Sequence, residues 1–318
     1  MRIVNSHVWL NLGDELPKDD AEQLRHEFPN VTFSVDLRPE AHSSVDMVFT
    51  RSKLPDETTA QLPSLKWIHT TYGGGLSFLT PYVAGKGIVV TCSRGVQAQP
   101  LSEYAEACVL ALAKKFPLLS DLKRARRWDE TLALDTLSGK VVGLLGLGAV
   151  GSAVAQRLHR QGMTISAIRR NVNQVPPYVK SVCGLEGLDG ILAAADFLIV
   201  GLPPIPGIQG LIGERQLRSM KPTAHLINLV TRGIVDDDAL ARALREGWIA
   251  GAACNVFGTN PLPPESPLWD APNLIISPNI AQTDPQRWSK LRNVFTENLK
   301  RYLQGEPLAN RVDGQGAY

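Results

Sequence analysis

The hexapeptide Gly146-Leu147-Gly148-Ala149-Val150-Gly151 constrains this chain more than any other segment, because of what stands on either side of it. Before it, Val141-Val142-Gly143-Leu144-Leu145 is a short apolar run that reads as a buried strand. After it, Val150, Val154 and Leu158 recur every four residues, and Gly162 stands where a helix over Ala149 to Arg160 should stop. A Gly-x-Gly-x-x-Gly that closes a strand and opens a helix is the context in which the pattern signals dinucleotide binding. Gly146 is expected to allow the tight turn, Gly148 the approach of a pyrophosphate, and Gly151 close packing of helix on strand. Ala149 and Val150 then present the free N–H groups of a helix N-terminus to an anion. A glycine-rich turn without a ligand is the plainer reading of the same residues.

The strand and helix pattern repeats along the chain. Met163 to Ile168 reads as the next strand, an Ala-rich helix ends before Asp196, and the strand Phe197 to Leu202 meets Pro203. His225 to Leu229 precedes a helix from Asp237 to Arg245, and Ala252 to Val256 and Leu274 to Ser277 complete the set. Before position 100, Met47 to Thr50, Lys66 to His69 and Ile88 to Thr91 read as strands of a second, smaller unit. A long apolar helix begins near Leu101, and the last helix runs from about Pro285 to Leu303. Such alternation is the grammar of parallel sheets covered on both faces, so the expected class is α/β with two doubly wound parallel-sheet domains.

A chain of 318 residues, 44% hydrophobic and 20% charged, is long enough for two such domains. A formal net charge of +2 creates no field that would favour nucleic acid or an anionic membrane, which points to a small-molecule partner. Cys92, Cys108, Cys183 and Cys254 lack metal-type spacing and read as reduced core thiols, as expected of a cytoplasmic protein. The N-terminal residues lack the apolar stretch of a signal peptide, no run is long enough to span a membrane, and no histidine pair has ligand spacing, so no metal is expected.

With these motifs in place, the chain resembles the D-2-hydroxyacid dehydrogenases from end to end, the glyoxylate/hydroxypyruvate reductase type included. The resemblance implies a Rossmann cofactor domain over 100–283 and a flavodoxin-like substrate domain assembled from 1–99 and 284–318. It also implies a homodimer, with the long helix near Leu101 at its interface. Where NAD-preferring members carry an aspartate after the second strand, this chain has Arg169 followed by Arg170. A guanidinium there suits a 2′-phosphate, which an aspartate would repel, so NADP(H) is expected over NAD(H). A solvated pair of arginines at a strand end is the alternative. Leu202 and Pro203 match the stretch that lines the nicotinamide pocket, and Asn255 replaces the aspartate that accepts from the carboxamide. Ile205 and Ile208 stand in the segment where the family keeps a threonine for phosphate.

The family's chemistry rests on an Arg, a Glu and a His, and all three positions are changed. Thr231 occupies the arginine position with Arg232 one residue late, Asn260 stands for the Glu, and Asn279 for the His. An asparagine has no proton to exchange at neutral pH, so the general-base role, worth ~10²–10⁴ in rate, is absent from position 279. The amides at 255, 260 and 279 are expected either to orient a substrate or to fill a vacated pocket with satisfied hydrogen bonds. A bulge could bring Arg232 into the site, and His69 or Tyr104 could supply a proton. Tyr72-Gly73-Gly74-Gly75 matches the loop whose backbone holds a substrate carboxylate, the glycines permitting an anion nest, and Arg94 could add charge there. The expected activity is an NADPH-dependent reduction of a small polar or carboxylated substrate at a non-standard site. The alternatives are a dinucleotide-binding protein without turnover and a non-redox enzyme using the same residues.

Overall fold

A computed structural model describes residues 6–13, 18–203 and 207–312 of the chain. Contacts divide it into two compact units, one comprising Met1–Gln97 with Asp284–Ala317, the other Ala98–Thr283 with Tyr318. Both are built on parallel sheets, so the chain has the two-domain α/β architecture that the alternation predicts.

The first unit contains β1 (Ser6–Asn11), α1 (Lys18–Glu27), β2 (Val31–Ser34), β3 (Met47–Thr50), α2 (Asp56–Ala60), β4 (Trp67–Thr70), α3 (Pro81–Gly85) and β5 (Val89–Cys92). Its five strands lie in the order β2-β1-β3-β4-β5. β1 and β2 are additional to the three strands read from the sequence. In β1 the short apolar run Val8-Trp9-Leu10 is flanked by Ser6, His7 and Asn11, and in β2 Thr32 and Ser34 alternate with apolar residues. On one face Val8, Leu10, Phe33 and Phe49 pack with Leu291, Phe295 and Leu299 of the C-terminal helix Arg287–Gln304. The segment after position 283 therefore completes the core of this unit.

The second unit contains α4 (Ala98–Ala113), α5 (Phe116–Arg124), β6 (Val141–Leu145), α6 (Ala149–Arg160), β7 (Thr164–Ile168), β8 (Ser181–Cys183), α7 (Leu188–Ala194), β9 (Phe197–Val200), α8 (Glu214–Ser219), β10 (His225–Asn228), α9 (Asp237–Arg245), β11 (Gly251–Cys254) and β12 (Leu274–Ile276). Seven strands lie in the order β12-β11-β10-β9-β6-β7-β8, all parallel. Only β8 escapes the sequence pattern, being three residues long and at the sheet edge. The order reverses between β6 and β9, and ligands of open α/β sheets bind beyond the carboxyl ends of strands at such a switch. The N-cap of α9 is Asp236, whose carboxylate accepts from Ala239 N, a contact typically worth ~1 kcal/mol.

All four cysteines are free thiols. Among the described residues, no helix is long and apolar enough to cross a membrane, and no group of three or more His, Cys, Asp or Glu could hold a metal ion.

Candidate active site

The glycine hexapeptide forms the β6–α6 junction. Gly146 has φ +100°, and a Cβ there would lie 2.8 Å from the Gly201 carbonyl oxygen. A Cβ at Gly151 would collide with the Gly146 carbonyl oxygen, so both positions require glycine. Gly148 differs: nothing lies within 4 Å of its would-be Cβ, and it caps α6 without a side chain over the first-turn N–H groups, Ala149 and Val150 among them. The junction is a backbone cradle open to an anion, which is the fit that a pyrophosphate requires.

Arg169 follows β7 immediately, its N–H donating to the Cys183 carbonyl of β8. Its side chain is half-buried, makes one long bond of 3.4 Å to the Gln174 carbonyl, and leaves Nε buried without a partner. Arg170 is exposed and makes contacts of its own. No acidic residue occurs between Met163 and Leu185, so no carboxylate competes for a ribose hydroxyl there.

The loops beyond β9, β10, β11 and β12 are tied together by amides and hydroxyls. Thr231 is buried, and its hydroxyl donates to the Leu202 carbonyl at 2.5 Å, fixing the backbone next to Pro203. Asn255 is also buried. Its Nδ2 donates to the Leu229 carbonyl at 2.9 Å, and its Oδ1 accepts from Ser277 Oγ, Ile280 N and Ala281 N, each at 3.0 Å. Tyr104 of α4 joins the network at Ser277, 2.7 Å away. Ser277 gives its hydroxyl proton to Asn255, so Tyr104 donates to Ser277. Burial raises the Tyr104 pKa, which keeps the phenol neutral. This chain of bonds ends on an amide oxygen and passes no proton onward.

Several expectations are corrected by this network. The Asn255 oxygen already takes three hydrogen bonds, so it is not presented to a carboxamide. Its role is to clamp the 277–281 turn. Among the described residues no hydrogen bond joins Asn260 to Asn255 or Asn279, and Asn260 is exposed. Asn279 sits in the left-handed region at φ +55°, which asparagine tolerates better than most residues, and its N–H donates to the Asn255 and Ser277 carbonyls. Its side chain has no partner among the described residues. Arg232 lies exposed in the turn after Thr231 rather than beside the buried hydroxyl. Ile208 is buried in the core, and Ile205 falls outside the described residues. At the loop start, Asp237 accepts from Gly258 N, and burial raises its pKa.

In the first unit, the Tyr72–Gly75 loop leaves the carboxyl end of β4. None of its glycines has positive φ, so it does not form the expected nest, which requires a left-handed residue. The N–H groups of Gly73, Gly74 and Gly75 nevertheless have no acceptor among the described residues. Gly75 is held by crowding, a Cβ there lying 2.6 Å from Val312. Tyr72 is about half exposed and sits beside Arg287. The Arg287 pKa is lowered, first by burial and then by the like charge of Arg51, which places two guanidinium groups near the loop. Sequence reading missed both, since neither lies in a motif. Arg94 is half-buried, and its charge opposes the rise that burial imposes on the Cys92 thiol.

His69 is excluded as a proton source. It is fully buried, Nδ1 and Nε2 are bonded to Thr91 and Ser93 at 2.6 and 3.1 Å, and burial pushes its pKa down to about 3.

Residues 107–281 match the family model described as D-isomer specific 2-hydroxyacid dehydrogenase, NAD binding domain. The chain belongs to the D-isomer specific 2-hydroxyacid dehydrogenase family. It is 34% identical over 264 residues to a glyoxylate reductase of Thermofilum pendens, covering 80% of this chain and 76% of the relative. It is 30% identical to a glyoxylate/hydroxypyruvate reductase B of Pectobacterium carotovorum, covering 87% and 88%. Among solved structures, a family member from Xanthobacter autotrophicus in complex with NADPH and MES superposes with a TM-score of 0.84 at 29% identity, covering 99% and 100%.

Proposed function

We propose that this chain is an NADPH-preferring reductase of small 2-oxo acids, glyoxylate first among them, working without the family's His, Glu and Arg. The observation that carries the reading is the open glycine cradle followed by Arg169, whose buried Nε has no partner. Gly146, Gly148 and Gly151 would hold the pyrophosphate, Arg169 and Arg170 the 2′-phosphate, and Leu202 and Pro203 the nicotinamide side. The bound cofactor supplies a hydride. The unit built from residues 1–99 and 284–318 is the substrate domain in this reading. There the free N–H groups of Gly73, Gly74 and Gly75, beside Tyr72 and near Arg51 and Arg287, receive a carboxylate. Arg94 adds positive charge.

Asn279 has an uncommitted amide that can donate a hydrogen bond to a substrate oxygen, yet it carries no exchangeable general-acid proton. Water must supply that proton, which favours reduction over oxidation and limits the rate. The names of the relatives, glyoxylate and hydroxypyruvate reductases, support the substrate class. A homodimer is part of the same reading, and the exposed Phe116, Leu119 and Trp128 of α5 and the following loop support it.

A thermal-shift comparison tests the reading. NADPH at about 100 times its dissociation constant should stabilise the protein by ~2.7 kcal/mol, with a smaller shift from equal NADH, followed by slow absorbance loss with glyoxylate. A larger shift with NADH removes the role of Arg169. NADPH binding with no turnover on carbonyl, enoyl or imine compounds leaves the rival reading, a dinucleotide-binding protein. Thr231 and Asn255, whose polar groups serve the fold rather than a ligand, favour that rival. Product formed without loss of nicotinamide absorbance would point to a non-redox enzyme instead.

A further inference from the structure

A cavity of about 360 Å³ opens at the amino ends of β10, β11 and β12, whereas the cofactor cradle lies at the carboxyl end of β6 in the same sheet. We propose that this cavity binds a small organic monoanion, a carboxylate with a compact apolar body.

Two polar side chains lining it lack partners. His225 is 92% buried, stacks on Phe197 at 5.0 Å, and leaves Nδ1 buried with no hydrogen bond. Lys115 is half-buried, and its ammonium has no hydrogen-bond or ion-pair partner among the described residues. An unmade bond at a buried polar atom such as His225 Nδ1 is costly, and the same cavity lining carries the Lys115 ammonium, so a ligand that reaches both would complete them.

The sign of the ligand follows from the charges around His225. Asp135 is the one acid, and Lys140 pairs with it at 3.0 Å. Lys114 donates to the Asp135 carbonyl, which leaves its charge uncompensated, and Lys115 adds another. The surroundings are net positive. Burial pushes the His225 pKa down to about 4, so the ring is neutral at pH 7 and offers one N–H. One ammonium and one neutral N–H suit the two oxygens of a carboxylate better than a dianionic phosphate. Leu112, Pro117, Leu118 and Pro222 also line it and would accept an apolar body.

Lys115 is also held at φ +53°, a left-handed conformation that a lysine adopts only under constraint. Glycine would occupy that position without strain, so Lys115→Gly removes the ammonium from a chain that should fold at least as well.

Benzoate is the probe, titrated calorimetrically into the full chain saturated with NADP⁺, which keeps the cofactor cradle filled. Millimolar binding is expected, weakened about tenfold or more by Lys115→Gly and by His225→Phe, while both variants retain the NADPH thermal shift. Imidazole ¹⁵N resonances of His225 should move as benzoate is added. Equal benzoate affinity in wild type and Lys115→Gly would overturn the proposal, because any carboxylate bound at the Tyr72–Gly75 loop would survive that substitution. Absence of benzoate binding at tens of millimolar would overturn it as well.

Discussion

The β6–α6 junction and the loops beyond β10, β11 and β12 belong to one sheet, yet they have fared differently. At the junction, what matters is backbone and the absence of side chains, and Gly146, Gly148 and Gly151 provide both. In the loops, Thr231, Asn260 and Asn279 are the proposed counterparts of the family's charged triad. Thr231 and Asn255 hydrogen-bond to backbone carbonyls, and Ser277 donates to the Asn255 amide oxygen. Binding geometry carried by glycine tolerates little change, whereas loops that give up charged groups can be re-knit by neutral hydrogen bonds. Buried amides satisfied this way cost no desolvated charge.

The comparison breaks most severely if the cradle proves tolerant. Gly151→Ala drives a methyl group into the Gly146 carbonyl, and neither backbone can retreat without opening the helix–strand packing. A loss of about 3 kcal/mol is expected in urea unfolding, with no NADPH thermal shift. Retained binding would mean that the junction is looser than its contacts imply.

Next in size is the loop clamp. Asn255→Ala leaves Ile280 N, Ala281 N, Ser277 Oγ and the Leu229 carbonyl without their partner, and should cost about 2–3 kcal/mol. Asn255→Asp keeps the three donors satisfied but sets a carboxylate oxygen against the Leu229 carbonyl, so it should rescue only part of that loss. Full rescue by Asp would show that the Leu229 contact contributes nothing.

The pH dependence provides a third test, located in the first unit. His69 titrates near 6.5 when unfolded and at about 3 when folded, so the unfolded chain binds a proton that the native one refuses. A depressed pKa stabilises above 6.5, and that stability is lost as pH falls toward 3. Between pH 7 and 5 His69 should account for a loss of about 2 kcal/mol, read from urea midpoints, and His225, lowered to about 4, for a similar loss. His69→Gln should therefore remove about half of the slope in this segment of the curve. The smallest effect is expected at Arg169. Arg169→Asp should weaken NADPH by roughly tenfold, about 1.4 kcal/mol, and leave or improve NADH. An unchanged ratio would assign Arg169 to the surface of β7 alone.

Much of the fold was legible because fully buried parallel strands are written as apolar runs. Val141–Leu145 and Phe197–Val200 show this pattern. β1, β2 and β8 were not: Ser6, His7 and Asn11 flank the short apolar run of β1, β2 alternates with Thr32 and Ser34, and β8 offers only Val182 and Cys183 after Ser181. The glycine cradle was legible for the reason it is conformationally demanding. The clamp at Asn255 was not, because its partners, Ser277 and the backbone at 229, 280 and 281, are distant in sequence and become neighbours only when β10, β11 and β12 are aligned. The Gly73–Gly75 loop misled in the opposite sense: glycine permits a left-handed nest but does not require one.

On the proposed reading, this chain keeps a working cofactor cradle beside loops without the family's proton shuttle. Single-turnover stopped flow with NADPH-loaded protein and glyoxylate tests it directly, beside an Asn279→His, Asn260→Glu, Thr231→Arg variant. Tight NADPH binding is expected in both, with hydride transfer in the native sequence slower by ~10²–10⁴ than in a chain bearing the histidine. A native rate equal to or above that of the restored variant, in a variant that folds and binds NADPH, would contradict it.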